Sequence, residues 1–254
     1  MLRAVERRDL VLLTPSQRRQ RLDRAQVLLV FTPELAGADP LAALAGAIAH
    51  VDVVQVRPKP LGDRRSGVPS RATVTEARAT YDWTQSVREL IDASDLTDPP
   101  LLVVNDRVDV ARALADEGAD GVHVGADDAP PDVAREVIGD DLLLGLSTHS
   151  LEDVVAALEA PVDMLGFGPV FPTPTKGYGA ADAAIGAPSV VGPEAAWIAA
   201  GAAHVPVFPI GGIDLANADR LAAVGRAAIG SAILGADDPG AAAQAIRELI
   251  TANG

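Results

Sequence analysis

Polar side chains that follow short apolar runs in this 254-residue chain have the types and spacing that suit a polyanionic ligand. Gln55, Arg57 and Lys59 are spaced by two residues, so in extended backbone their side chains lie on one face. Lys59 and Lys176 are the only lysines in the sequence, and arginine supplies the other basic residues. This usage indicates that both positions need the compact charge of an ammonium group, which guanidinium does not supply.

Two carboxylates end or follow neighbouring apolar runs. Asp106 ends the run LLVVND, and Asp128 follows the run GVHVG. Mg²⁺ is usually held by one or two carboxylates, while water and substrate phosphates fill its remaining positions. The pair therefore predicts a Mg²⁺ site for Asp106 and Asp128, with Arg57, Lys59 and Lys176 neutralising a diphosphate.

The remaining runs end in amide, hydroxyl or glycine residues, which are Asn105, Ser147, Thr173, Thr175, Gly212, Gly230 and Ser231. Glycine lets backbone N–H groups approach an anion without interference from Cβ. Barrel enzymes commonly bind phosphate after their last two strands. The pattern predicts two facing anion sites, one for a diphosphate and one for a monophosphate. The sequence has no cysteine, no HExxH and no GxGxxG, so thiolate, zinc and dinucleotide chemistry lack support.

Eight apolar runs must position these residues. They span 26–31, 51–57, 101–106, 121–125, 142–148, 164–170, 205–212 and 227–233. Short, continuously apolar runs are typical of parallel strands that are covered on both faces. Helical segments lie between them, so the order predicts an α/β fold, a single (β/α)8 TIM barrel. A doubly wound sheet is the alternative, because periodicity does not reveal closure.

The chain before the first run predicts an extra N-terminal helix. Thr14 suits the N-cap, Pro15 the first helical position and Gln17 the reciprocal capping-box position. We therefore expect residues 1–25 to form a helical extension, packed across one end of the barrel, and residues 26–254 to form the catalytic barrel domain. The segments 60–72 and 177–193 are predicted to be long loops.

Charge and hydropathy narrow the classes of partner. A formal net charge of −14 repels nucleic acid and anionic membranes. No stretch approaches the roughly 20 apolar residues of a membrane helix, and the N-terminus lacks the apolar region of a secretion signal. We expect a cytoplasmic protein with small-molecule partners, and the sequence leaves its homo-oligomeric state open.

Seven motifs make the chain similar to the thiamine phosphate synthase family. They are QVRPK (55–59), VVNDRVDVA (103–111), GADGVHVGADD (118–128), GLSTHS (145–150), GFGPVFPTPTK (166–176), PIGGI (209–213) and GSAI (230–233). They stand in the family's order. The resemblance implies a transferase on a (β/α)8 barrel that joins hydroxymethylpyrimidine diphosphate to thiazole phosphate and releases pyrophosphate with Mg²⁺.

The resemblance also implies a role for each matching residue. Gln55, Arg57, Lys59 and Asn105 would hold the pyrimidine diphosphate, Asp106 and Asp128 the Mg²⁺, and Ser147, Thr175 and Lys176 the diphosphate. Thr173, Gly212, Gly230 and Ser231 would hold the thiazole phosphate. Two alternatives stay open, a thiazole tautomerase-like isomerase and a non-catalytic homologue that binds phosphate ligands. His123 is expected to be an interior residue, and Asp109 and Asp120 are expected to be solvated or helix-capping residues.

Overall fold

The computed structural model describes residues 12–59, 72–173 and 189–252, with side chains from residue 76 onward in the helix that starts at Ala72. These ranges contain eight strands: β1 Val27–Phe31, β2 Val53–Val56, β3 Leu101–Asn105, β4 Gly121–Val124, β5 Leu143–Thr148, β6 Met164–Phe167, β7 Val207–Pro209 and β8 Ala227–Ile229. Each falls inside a predicted apolar run. Residues 60–71 of the first predicted loop and residues 177–188 of the second lie outside the described residues.

The strands form one parallel sheet in the order β7-β6-β5-β4-β3-β2-β1-β8. A parallel bridge between Ile210 and Ala228 links the two ends of this order. Consecutive strands are therefore neighbours all the way round, and the sheet curls into a barrel. The predicted TIM barrel is confirmed, and the doubly wound alternative is wrong because such a sheet would leave two open edges.

The helices in the described ranges are α1 Pro15–Arg24, α2 Pro40–Ala47, α3 Ala72–Ala93, α4 Val108–Ala113, α5 Pro131–Ile138, α6 Leu151–Ala157, α7 Pro193–Ala202, α8 Ser231–Leu234 and α9 Pro239–Thr251. Those that follow β1 in the chain cover the outside of the barrel. α1 begins with the predicted capping box, in which the side chains of Thr14 and Gln17 bond each other's backbone N–H. None of the helices in the described ranges could span a membrane.

The hydrophobic core has two layers, because each strand is buried on both faces. One layer lies between strands and helices and includes Phe31 and Phe167. The other fills the barrel interior with alternate strand residues such as Leu28, Val103 and Phe208. The side chain of Leu22 from α1 joins this interior layer. α1 therefore lies across the N-terminal end of the barrel, as predicted, while the division of the chain at residue 25 stays a prediction.

Three aspartates stand immediately before even-numbered strands and accept backbone N–H groups from the strand before. Asp52 accepts from Gln26 and Val27 at 2.8 and 2.9 Å. Asp120 accepts from Leu102 at 2.9 Å, and Asp163 accepts from Leu144 at 2.9 Å. Each also pairs with arginine, in the pairs Arg247–Asp52, Arg18–Asp120, Arg19–Asp163 and Arg135–Asp163. These bonds hold neighbouring strands in register at the end opposite the predicted chemistry.

The Arg18–Asp120 pair is the most buried of these contacts. Both side chains are 6% exposed, and Arg18 Nε lies 2.9 Å from Asp120 Oδ1. The expectation of a solvated or capping Asp120 is therefore wrong. Burial raises the pKa of Asp120, while the Leu102 N–H and the Arg18 guanidinium oppose that rise by stabilising the carboxylate.

We predict that Arg18→Met lowers the free energy of unfolding by about 3–5 kcal/mol, because it leaves a buried carboxylate without its cation. Chemical denaturation measures the loss. The matched control is Arg24→Met on the same helix, where the arginine is exposed and the expected change is within about 0.5 kcal/mol. Similar small losses in both variants would show that the buried pair does not anchor α1.

Candidate active site

A cavity of about 970 Å³ opens at the C-terminal ends of the strands. It is lined by every predicted site residue that the structure describes: Gln55, Arg57, Lys59, Asn105, Asp106, Asp128, Ser147, Thr173, Gly212, Gly230 and Ser231. The remaining two, Thr175 and Lys176, lie outside the described residues. Residues that are up to 176 positions apart in the chain (55 to 231) thus share one cavity because parallel strands end at the same rim.

An amide pair forms the wall of the cavity between β2 and β3. Gln55 Nε2 donates to Asn105 Oδ1 at 2.5 Å, and Gln55 is 5% exposed. Their bond leaves the Gln55 carbonyl and the Asn105 amino group for other partners. A heterocycle that presents both a donor and an acceptor could therefore be recognised by this pair.

The two cations on this side come just after β2. Arg57 is held by its N–H, which donates to the Phe31 carbonyl at 2.8 Å. The Lys59 N–H donates to Glu34 Oε2 at 3.2 Å. β2 ends at Val56, so Arg57 and Lys59 lie just beyond the strand. The prediction that their side chains share one face with Gln55 stays a prediction.

The two carboxylates come from adjacent strand ends. Asp106 follows β3 with φ of 63°, a left-handed conformation that aspartate tolerates better than most residues, and its N–H donates to the His123 carbonyl at 2.8 Å. Asp128 Oδ2 accepts the Gly125 N–H at 2.8 Å. The described residues contain no group of three or more His, Cys, Asp or Glu that could hold a metal ion. The donor set fits a Mg²⁺ ion that takes most of its ligands from water and phosphate.

Glycines form the opposite wall. Gly211 and Gly212 follow β7 with φ of 99° and 66°, values that disfavour other residues. A Cβ at Gly212 would lie 2.5 Å from the Pro172 carbonyl oxygen. The backbone of this turn therefore packs directly on the segment after β6, next to Thr173, and both glycines line the cavity.

The contact between His123 and Ser147 is the part of the site that sequence reasoning missed. His123 Nε2 lies 3.0 Å from Ser147 Oγ, and His123 is 7% exposed. The expectation of an interior histidine is confirmed, but its ring reaches a predicted site residue. His149 also lines the cavity, and its Nδ1 lies 2.5 Å from the Gly168 carbonyl oxygen. The alternation of strand residues could have placed His123 inside the barrel, but not against Ser147.

Asp109 lies close in sequence to the carboxylate pair but belongs to the surface. Its side chain is 62% exposed and pairs with Arg107. The hydrogen bond from Arg107 lowers the pKa of Asp109, and burial opposes this shift. It is therefore a solvated, ion-paired residue, as expected.

Residues 27–233 match the family model described as Thiamine monophosphate synthase. Over 244 residues the chain is 37% identical to the thiamine-phosphate synthase of Mycolicibacterium smegmatis, covering 92% of this chain and 96% of that protein. It is 51% identical over 146 residues to the thiamine-phosphate synthase of Parasynechococcus marenigrum, covering 57% of this chain but 38% of that protein's length. The fold is similar to the solved thiamine phosphate pyrophosphorylase of Pyrococcus furiosus, with a TM-score of 0.68 and 28% identity over 91% of this chain and 96% of that one.

We predict that Gly212→Ala destabilises the fold by roughly 1–3 kcal/mol more than Gly225→Ala, because its Cβ meets backbone atoms that cannot move aside. Gly225 is a matched control, since its φ is 69° and nothing lies within 4 Å of its added Cβ. Gly225→Ala is expected to lose only the free energy of holding an alanine in a left-handed conformation, about 1–2 kcal/mol. Denaturant unfolding of both variants measures the difference, and equal losses would contradict the close packing at Gly212.

Proposed function

This chain belongs to the thiamine monophosphate synthase family, and we propose that it couples hydroxymethylpyrimidine diphosphate to thiazole phosphate, with release of pyrophosphate. The membership confirms the family and the enzyme class that the motifs predicted, a transferase of thiamine biosynthesis. The observation that supports the proposed site is the shared cavity, which brings an amide pair, two cations, two carboxylates and a glycine wall together.

The diphosphate of the first substrate would lie against the cations after β2. Arg57 and Lys59 line that part of the cavity, and the motif assigns Lys176 to the same group, although it lies outside the described residues. The net charge of −14 gives the protein no long-range attraction for anions. Binding would therefore depend on these local cations and on donors such as Ser147 and Thr175.

Asp106 and Asp128 would hold Mg²⁺ at the same end. When bound, the ion supplies positive charge that neutralises the departing pyrophosphate. The left-handed backbone of Asp106 and the Gly125 N–H on Asp128 would keep both carboxylates aimed at the cavity. Two carboxylates leave enough coordination positions for phosphate oxygens and water.

The pyrimidine and the thiazole phosphate would bind at opposite walls of the cavity. Gln55 and Asn105 would recognise the pyrimidine through their remaining acceptor and donor. The thiazole phosphate would be held by Thr173, Gly212, Gly230 and Ser231, through hydroxyl groups and backbone N–H groups. Apolar interior residues such as Met164 and Phe208 line the cavity floor and would exclude water from the space between the rings.

The proposed reaction is a dissociative substitution. The carbon–oxygen bond to the diphosphate breaks, and its electron pair leaves with pyrophosphate. The lone pair of the thiazole nitrogen then forms the new carbon–nitrogen bond to the pyrimidine methylene cation. No protein nucleophile or general base is needed, so catalysis comes from positioning and charge, with each well-aimed donor contributing about 3–4 kcal/mol.

We predict that the purified chain forms thiamine phosphate and pyrophosphate when both substrates and Mg²⁺ are present. Each component is omitted in turn, and a chelator replaces the metal in a further control, because the ion is expected to stabilise the leaving group. Pyrophosphate release and product are measured in the same sample. If no product forms while thiazole phosphate still binds, the assignment is overturned in favour of an isomerase or a non-catalytic binder.

We predict that Asp106→Asn lowers turnover by about 10²–10³-fold, the usual cost of removing one electrostatic stabiliser. Asparagine also tolerates the left-handed conformation, so the melting temperature should hardly change. Steady-state kinetics at several Mg²⁺ concentrations measure the loss, with the exposed Asp109→Asn as the control for a carboxylate-to-amide change nearby. Wild-type turnover in Asp106→Asn would remove this residue from the metal site.

A further inference from the structure

The imidazole of His123 on β4 reaches Ser147 on the adjacent strand β5. In the strand register His123 is paired with Gly145 and Ser147 with Gly166. The Nε2–Oγ distance of 3.0 Å is that of a hydrogen bond. Both residues line the cavity, but His123 is 7% exposed, whereas Ser147 is partly exposed. The buried ring therefore supports a hydroxyl that a ligand can reach.

Two glycines make room for this ring. A Cβ at Gly145 would lie 2.3 Å from His123 Nδ1, and a Cβ at Gly166 would lie 3.2 Å from His123 Cε1. Any other residue at 145 would move the ring, because real Cβ contacts do not come so close. The interior positions of β5 and β6 are thus shaped around His123 and fix the direction in which Nε2 points.

The direction of the hydrogen bond decides what Ser147 can do. A serine hydroxyl has one O–H to donate, and diphosphate oxygens only accept. If Ser147 donated to His123, its lone pairs would face the anion and repel it. If His123 Nε2–H donates to Ser147 Oγ, the single O–H is left for the diphosphate.

We propose that His123 is a positioning residue that donates from Nε2–H to Ser147 and thereby aims the Ser147 hydroxyl at the leaving diphosphate. This inference rests on the proposed function, since it assigns Ser147 to the diphosphate. His123 touches neither substrate in this scheme. It acts on the reaction only by orienting Ser147. A residue that merely filled the interior would affect the reaction whether or not Ser147 was present.

A double-mutant cycle tests the dependence, using Ser147→Ala, His123→Leu and the double variant. Each single change should lower kcat/KM for the diphosphate substrate by about 10- to 100-fold, the loss expected for a hydrogen bond to a charged group. The double variant should be no slower than Ser147→Ala, and the inhibition constant of inorganic pyrophosphate should rise by the same factor. Losses that multiply would overturn the inference.

Rescue by a conservative variant separates donation from packing. His123→Gln keeps an N–H donor at about the reach of Nε2 and should recover most of the activity that His123→Leu loses. If His123→Leu does not fold, His123→Gln still tests the proposal. The exposed His204→Gln is the control and should leave activity unchanged. A His123→Gln enzyme as slow as the leucine variant would overturn the role of the donor.

Gly145→Ala provides an independent test, because it displaces the ring without altering either partner. It should raise the inhibition constant of pyrophosphate by about 10-fold or more if the His123–Ser147 bond is lost. Gly201→Ala in α7, where an added Cβ meets nothing within 4 Å, is the matched control. If Gly145→Ala is active and its inhibition by pyrophosphate is unchanged, the inference about His123 is overturned but the proposed function is not. If the wild type is inactive and does not bind pyrophosphate, both the inference and the proposed function are overturned.

Discussion

The register of the parallel strands is the constraint on which the rest of the molecule depends. Successive strand residues face opposite sides, so a slip of one residue would turn Gln55, Asn105, His123 and Ser147 out of the barrel. The aspartates before β2, β4 and β6 act against such slips, since each accepts backbone N–H groups from the preceding strand and pairs with an arginine. Contacts at the N-terminal end thus hold in place the side chains that face the cavity at the other end.

The barrel interior changes character along its axis. Leu22, Leu28 and Phe208 fill the lower part with apolar side chains, which a stable core requires. Higher up, Gly145 and Gly166 leave space that the buried imidazole of His123 occupies. The side chains of the interior thus change along the barrel axis, from apolar and packed at the floor to polar and charged at the open rim. Buried polar groups are costly unless they are hydrogen-bonded. The Gln55–Asn105 contact and the contact between His123 Nε2 and Ser147 Oγ each satisfy one donor and one acceptor.

The net charge of the whole chain and the charge at one wall of the cavity have opposite signs. An overall charge of −14 opposes binding of large polyanions, yet Arg57 and Lys59 lie together at one cavity wall. Small phosphorylated ligands can use such a local pocket because screening confines the repulsion from distant carboxylates to roughly 8–10 Å. Asp106 and Asp128 on the same rim would repel a diphosphate on their own. A divalent cation between carboxylates and phosphate would remove that repulsion, which agrees with the proposed Mg²⁺.

The sequence by itself determined the eight strands, the capped helix before them, the order of the motifs and the residue types at each strand end. These features depend on local pattern, on hydrophobic period and on capping chemistry, which short segments contain. The tertiary structure alone decided that Asp120 is buried against Arg18 and that His123 lies against Ser147. Both contacts join residues more than 20 positions apart (102 and 24), and their geometry depends on barrel closure and on space left by glycines of other strands. Local patterns do not encode such distances, because they are set only when the eight strands close on one another.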